Sequence, residues 1–514
     1  MDTIKYSMIF WNRDSGSTKM THEKLRYDDD PDIIRRLFHE DSDDDMSSQQ
    51  TNLAFEPDDA FTKCTNDTGG KTKKDLYTLD VKDTKSRFDE YDPYEHRTVE
   101  RPTTNTETLL HLLKGSLGTG ILAMPKAFHH SGYIFGLVGT IIIGLICTYC
   151  IHLLVRAEYV LCKRKKVPSM TYPTTVEEAF ANGPLPLRKF APYSGHMVNA
   201  FLLIYQIGTC CVYIVFIAEN IQAVQKVYSE KISLVYLMLM FLLPLILLNW
   251  VRNLKLLAPF STLANLITLV SFGIVLYFLI DEGPTFKDRE PLGEVENLPL
   301  FFGTVLFALE AIGVIMPLEN EMKTPKSFGG GCGVLNSGMF TIIFLYVGMG
   351  LLGYLTYGEA VEGTITTSLP VENILAQVVM LMLALAIFIT YALQCYVAVD
   401  ITWNEYLAPR VSKGKRKLFY EYCIRTLIVL ITFGIAAAVP ELDLFISLFG
   451  ALCLSALGIA IPALVDMCTY WHDYEGGRFY FGVIKNLLIV TFGIFGLIVG
   501  TYTSLSKIVD KFNK

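Results

Sequence analysis

Charge is what these 514 residues have least of: 18% are Asp, Glu, Lys or Arg, against 51% hydrophobic residues and a mean hydropathy of +0.37. A soluble enzyme of this length carries far more charge, so a fold that exposes most of its surface to water is excluded. Cysteines with ligand spacing are also missing. Of eleven, Cys147, Cys150, Cys210, Cys211, Cys395, Cys423 and Cys453 lie in apolar runs, and the adjacent pair Cys210 and Cys211 point to different helix faces. They read as small packing residues, not as disulfides or metal ligands. No apolar core follows a basic start, so no secretory signal is expected. No nucleophile–base constellation accompanies the apolar runs, and no enzyme is expected.

The charge present is unevenly placed. Residues 1–107 hold 25 acidic and 16 basic residues, a net of −9; the whole chain is −7, so the remainder is +2. With DDDPD at 28–32, EDSDDD at 40–45 and SSQQTN at 47–52, residues 1–102 read as an acidic disordered tail. YSMI at 6–9 and DDPDII at 29–34 have the pattern of sorting signals, so sorting or nutrient-signalling proteins are candidate partners there.

Beyond the tail the chain is a succession of long apolar runs. Windows of about 19 residues, the length that crosses a hydrocarbon core as a helix, centre on 107–130, 132–161, 195–224, 231–249, 256–280, 299–319, 337–357, 371–400, 418–438, 442–467 and 481–505. The expectation is an all-α multi-pass membrane protein of about eleven helices. Lys163 to Lys166, Arg252 and Lys255, Lys323 and Lys326, and Arg410 to Lys417 fall on one side of such an arrangement, while the loops at 281–297 and 358–368 are net acidic. Positive charge stays cytoplasmic, so the N-terminus is expected inside and, with eleven crossings, the C-terminus outside. The sequon Asn66-Asp67-Thr68 then lies on the cytoplasmic side.

The first span contains GSLGTGILAMP at 115–125, with Gly115, Gly118 and Gly120 ahead of Pro125. A freed backbone group in lipid costs several kcal/mol, so an interrupted helix survives only where it lines a protein cavity. The sixth span repeats the device: EAIGVIMP places Pro317 four residues after Gly313. Spans one and six are equivalent positions if the chain holds two five-helix repeats, about 103–280 and 298–470, plus an extra helix at about 481–505. Transporters built from inverted repeats bind substrate between two such discontinuous helices. Half-helix ends offer free amides and carbonyls, which suit a zwitterion. Two other readings of the first motif compete. Residues 118–123 match G-x-G-x-x-A, but no strand precedes them; glycine also serves close helix packing.

Intramembrane ionisable residues default to functional suspicion. His111 and Lys114 share a helical face with Gly115 and Gly118, and an imidazole titrates near physiological pH, so His111 is the candidate proton carrier. Glu310 at the second break is a candidate for capping, for neutralising a substrate ammonium or for holding the proton. The candidate substrate-binding residues are Ser116, Leu117, Gly118, Thr119, Gly120, Glu310, Ala311, Gly313 and Tyr391. One pH unit supplies about 1.4 kcal/mol and 100 mV about 2.3 kcal/mol per charge, enough for one proton to drive more than tenfold accumulation.

HLLKGSLGTGILAMPKA at 111–127, QIGTCCVYIVFIAEN at 206–220, RNLKLLAPFSTLANLITLV at 252–270, PLFFGTVLFALEAIGVIMPLENEMK at 299–323, GYLTYGEAVEGTITTSLP at 353–370, FITYALQCYVAVDI at 388–401 and PELDLFISLFGALCLSALGIAIP at 440–462 resemble the proton-coupled amino acid transporters of the amino acid/auxin permease group, as an insect-like member. The resemblance runs from about residue 103 to the end. It implies a LeuT-like core of two inverted five-helix repeats with discontinuous helices 1 and 6, and symport of small neutral amino acids with protons across a plasma or endolysosomal membrane. It gives the histidine of HLLKG, here His111, the central place in proton coupling. No cofactor beyond the coupling proton, no metal and no nucleic acid is implied. The chain departs from the family pattern at Ser116, Leu309, Ala311, Cys395 and Ala398, and has no outer-loop cysteine pair. Ala311 adds a methyl where substrate is expected. An amino acid sensor signalling through its tail and a sodium-coupled carrier are the alternatives.

Overall fold

The computed structural model describes residues 91–99, 101–230, 232–252, 254–309, 312–411, 415–472 and 477–513. The tail motifs and the sequon lie outside them. The described chain is helical: α1 (Asn105–Ser116), α2 (Thr119–Ser131), α3 (Tyr133–Lys165), α4 (Tyr172–Asn182), α5 (Leu185–Tyr228), α6 (Leu234–Asn249), α7 (Leu254–Asp281), α8 (Leu298–Ala308), α9 (Ile312–Asn320), α10 (Val334–Tyr357), α11 (Ile374–Asp400), α12 (Lys415–Ala438), α13 (Leu442–Phe449), α14 (Ile461–Thr469) and α15 (Gly477–Phe512). Wider π-type turns extend α11 through Ile401–Leu407 and join α13 to α14 through Gly450–Ala460.

Nine helices among the described residues are long and apolar enough to cross a bilayer. α6 is apolar but has 16 residues, about 24 Å at 1.5 Å each, short of a roughly 30 Å hydrocarbon core. The window at 107–130 is two helices, α1 and α2, neither long enough alone. α7 carries its exposed Leu263, Leu266, Leu269 and Ile280 as a lipid-facing helix does. Cys423 is exposed on α12, which corrects its reading as a packing residue; Cys147, Cys150, Cys210, Cys211, Cys395 and Cys453 are buried and unbridged.

α10 is the backing of the first span, packing along both α1 and α2. Its glycines make the approach possible. A methyl on Gly338 would meet Leu112 at 2.5 Å, on Gly350 Phe128 at 2.5 Å, and on Gly353 the Pro125 ring at 2.4 Å. Such close backbone approach through small residues is how membrane helices gain packing contacts that lipid cannot supply. The last helix docks through buried polar ties: Asn486 Nδ2 donates to Asp466 Oδ2 at 2.8 Å, and the Ser447 and Ser504 hydroxyls lie 3.1 Å apart.

The start of the first span is anchored before any apolar residue appears. Thr104 and Glu107 form a reciprocal capping box that opens α1. Just before it, Thr103 pairs with the segment after α9, donating to Glu321 O and accepting from Lys323 N, both at 2.9 Å. Further upstream, Arg97 inserts between two buried carboxylates, Glu319 of α9 at 3.0 Å and Glu158 of α3 at 3.7 Å, and its Nε donates to Pro168 O at 3.0 Å. Tyr94 lies under its guanidinium, 4.7 Å from the ring centre, and Asp92 pairs with Lys326 at 2.9 Å. Residues 92–99 and 101–104 thus join the start of α1 to the C-terminal part of α3 and the end of α9.

Because Arg97 stands between two buried acids, Arg97→Ala leaves both without their cation. The expected destabilisation is about 3–5 kcal/mol, read as a fall in apparent melting temperature of the detergent-solubilised full chain. Arg97→Ala with Glu158→Gln and Glu319→Gln recovers a good part of it; no recovery in the triple variant contradicts the ion-pair account.

Candidate functional site

The first sequence-predicted break lies within the described residues; of the second, residues 310 and 311 lie outside them, and the helix ends that flank the two are in contact. α1 ends at Ser116 and α2 begins at Thr119; α8 ends at Ala308 and α9 begins at Ile312. A methyl on Gly120 would sit 2.6 Å from Ala308 Cα, so the backbone entering α2 lies directly against the end of α8. Gly115 faces the other half of the second helix, where a methyl on it would lie 3.4 Å from Val314 Cγ2 of α9. One interrupted helix therefore lies along the other, break beside break.

The chemistry at the breaks is that of helix ends. α2 starts at Gly118 with no side-chain cap, so its first-turn amides point into the break. The last carbonyls of α1 converge on it from the other side. One is already used: the Tyr346 hydroxyl of α10, fully buried, donates to Ser116 O, which also accepts from Gly118 N at 3.0 Å. The Ser116 hydroxyl turns back to Leu112 O at 3.1 Å. Thr119 is buried at the start of α2. From α5, the Tyr213 hydroxyl comes within 3.9 Å of where a methyl on Gly118 would be, and Gln394 of α11 engages that hydroxyl. The break thus collects an amide-rich end, a carbonyl-rich end and two neutral polar side chains.

Of the candidate residues, Ser116, Leu117, Gly118, Thr119 and Gly120 form the first break, and Gly313 lies in the first turn of α9, exposed. Glu310 and Ala311 fall outside the described residues. His111 is half-buried on α1. Thr108, Leu112 and Ser116 make the fully buried face of that helix, and His111, Lys114 and Gly115 form the other, which reaches α9 through Gly115. Gly120 packs tightly against Ala308, the contact role that competes with substrate binding for this glycine. Tyr391 is fully buried with its hydroxyl 2.8 Å from Thr432 Oγ1 of α12, where it ties α11 to α12. The aromatic hydroxyls brought to the break are instead Tyr213 and Tyr346. Tyr213 sits in QIGTCCVYIVFIAEN and Gln394 in FITYALQCYVAVDI, so the segments that hold them were visible, but not the helix face.

The model of the transmembrane amino acid transporter protein family matches residues 101–506. The proton-coupled amino acid transporter-like protein pathetic of Drosophila melanogaster is 40% identical over 425 residues, 82% of this chain and 89% of that protein. The probable amino acid transporter skat-1 of Caenorhabditis elegans is 24% identical over 433 residues, 80% of this chain and 91% of its own length. Among solved structures, Mhp1, a nucleobase-cation-symport-1 family transporter, matches 82% of this chain and 94% of its own at 13% identity with a TM-score of 0.46, a likeness too distant to build on.

The two glycines of the first break are expected to respond differently to one added methyl. Gly120→Ala forces α2 from α8 and costs about 1–3 kcal/mol, whereas Gly118→Ala has room and changes stability little. Apparent melting temperatures of the two purified variants check this, and equal shifts contradict the packing geometry.

Proposed function

The chain belongs to the transmembrane amino acid transporter family, and from that premise we propose that it carries small neutral amino acids together with protons by alternating access. The observation that carries the reading is the contact between the two broken helices at Gly120 and Ala308. An amino acid zwitterion has its carboxylate and ammonium a few bonds apart. Paired half-helix ends offer complementary partial charges at that spacing, each worth about 0.3–1 kcal/mol, more when partly buried. The α2 amides take the carboxylate, the carbonyls at the ends of α1 and α8 take the ammonium, and Tyr213 and Gln394 close the polar shell. The substrate side chain then faces α9 near Gly313 and Val314.

Family membership makes this a multi-pass membrane transporter and not an enzyme. The finer reading is a LeuT-like domain over 103–514, in which α1 with α2 and the short α6 raise the nine long helices to eleven crossings in two inverted repeats plus α15. The basic connections support an N-terminus in the cytoplasm, with the residues before the Asp92–Arg97 anchor, rather than the whole of 1–102, as its tail and the C-terminus extracellular or lumenal. The membrane is the plasma membrane or that of the late endosome and lysosome. The coupling ion is the proton and no other cofactor is needed. His111 carries it, with Glu310 as second proton-binding candidate. Lys114, Gly115 and Gly313 are exposed along the crevice between α1 and α9. On this reading the proton reaches His111 from that exposed side.

Uptake of labelled alanine into proteoliposomes tests this. An acid-outside gradient of one pH unit is expected to raise uptake by about tenfold at equilibrium, with no effect of replacing sodium. His111→Ala is expected to abolish acid stimulation and spare exchange of labelled for unlabelled alanine. Undiminished acid stimulation in that variant, or a sodium requirement, contradicts the reading.

A further inference from the structure

A second polar site lies well apart in sequence from the breaks, where three helix ends meet among the basic connections. The end of α11 with its π-type turns, the connection from α6 to α7 and the start of α12 enclose a cavity of about 240 Å³. One water needs only ~10–15 Å³ on the same measure, so the space is that of a molecular group.

Its charged walls are not equivalent. Glu421, 6% exposed, receives Arg252 Nε at 2.9 Å and Nη2 at 2.8 Å, and Arg425 Nη2 at 3.1 Å and Nε at 3.2 Å. Arg425, itself buried, spends Nη1 on Asn249 O at 3.1 Å. Asp400, 5% exposed, accepts from Asn404 Nδ2 at 2.5 Å. Three cations, Arg252, Lys417 and Arg425, thus face two carboxylates, leaving one positive charge. The buried pair of Arg425 and Glu421 forms the floor. Half-exposed Arg252 and exposed Lys417 stand at the mouth.

The surroundings place this mouth at the edge of a bilayer. Trp250, Phe419 and Tyr420, close in sequence to Arg252 and Lys417, are 43%, 66% and 47% exposed. Aromatic side chains exposed where apolar helices give way to basic connections mark a membrane–water boundary. Basic pockets between helices at that level suit lipid headgroups.

We propose that this cavity binds the headgroup of an anionic glycerophospholipid, with the phosphodiester at Arg252 and Lys417 and a hydroxyl-bearing headgroup donating to Asp400. A phosphodiester carries one negative charge, which matches the one positive charge left over. Asp400 accepts from hydroxyls and repels a carboxylate, so phosphatidylinositol is preferred over phosphatidylserine. The bound lipid joins the α6–α7 connection to α11 and α12.

Native mass spectrometry of the purified full chain with equimolar phosphatidylinositol and phosphatidylcholine tests it. Phosphatidylinositol is expected in about fivefold excess in the bound population, a preference that falls to near parity in Lys417→Ala and in Arg252→Ala. Asp400→Asn is expected to keep binding but lose the preference over phosphatidylserine. Alanine uptake in phosphatidylcholine liposomes verifies that each variant is folded. Equal occupancy by the two lipids in the unsubstituted chain, or an unchanged preference in folded Lys417→Ala, overturns the proposal. So does competition by soluble glycerophosphoinositol as effective as that of the lipid, which would assign the site to a water-borne ligand.

Discussion

Everything in this molecule that bears on transport depends on one constraint: a helix can be broken inside a membrane only if protein surrounds the break. Two breaks set against each other meet that requirement with the least polar surface exposed to lipid, because each lends its backbone ends to a common protected space. The Gly120–Ala308 contact is where this happens. It brings two chain segments nearly 190 residues apart to backbone contact, and a side chain at position 120 would hold them apart.

The rest of the bundle serves that contact. α10 lies behind the first break, with three glycines that let it follow α1 and α2, and with Tyr346 placed to satisfy a carbonyl the break exposes. Residues 92–99 and 101–104 tie the start of α1 to the end of α9 through Thr103 and Arg97. Buried ion pairs of this kind add little net stability over apolar packing, but they are intolerant of losing a partner and so fix a single arrangement. π-type turns follow α11 at Ile401–Leu407 and α13 at Gly450–Ala460, a widened pattern that is rare in helices and frequent at functional sites.

How much was legible in the sequence depends on the range of each effect. Glycine and proline act on their own backbone, so GSLGTGILAMP announced the first break, and EAIGVIMP pointed to a second, without any knowledge of neighbours. Hydropathy is likewise local, and most span positions derive from it; the interruption of the first span split one window into two short helices. Packing is not local. Tyr213 and Tyr346 are two of 27 tyrosines, and nothing in their immediate sequence distinguishes them from Tyr391, whose hydroxyl belongs to Thr432. Nothing local marks Gly338, Gly350 and Gly353; their role follows from Leu112, Phe128 and Pro125 lying against them. Arg97 lies in a stretch that reads as acidic tail, and only the buried partners Glu158 and Glu319 reveal its role. Gly120 shows the two kinds of information meeting: its residue type signalled a break, while its neighbour showed that the space beside it is occupied by Ala308.

The claim that substrate occupies the joined breaks is tested most directly by thiol labelling of Gly118→Cys, a position where the added side chain has room beside Tyr213. Labelling rates are measured in proteoliposomes with and without saturating alanine, against the unsubstituted chain as background. Alanine is expected to slow labelling severalfold, and a bulky acidic amino acid to leave it unchanged. An unaltered rate with alanine, in a variant that still transports it, would place the substrate elsewhere and contradict the claim.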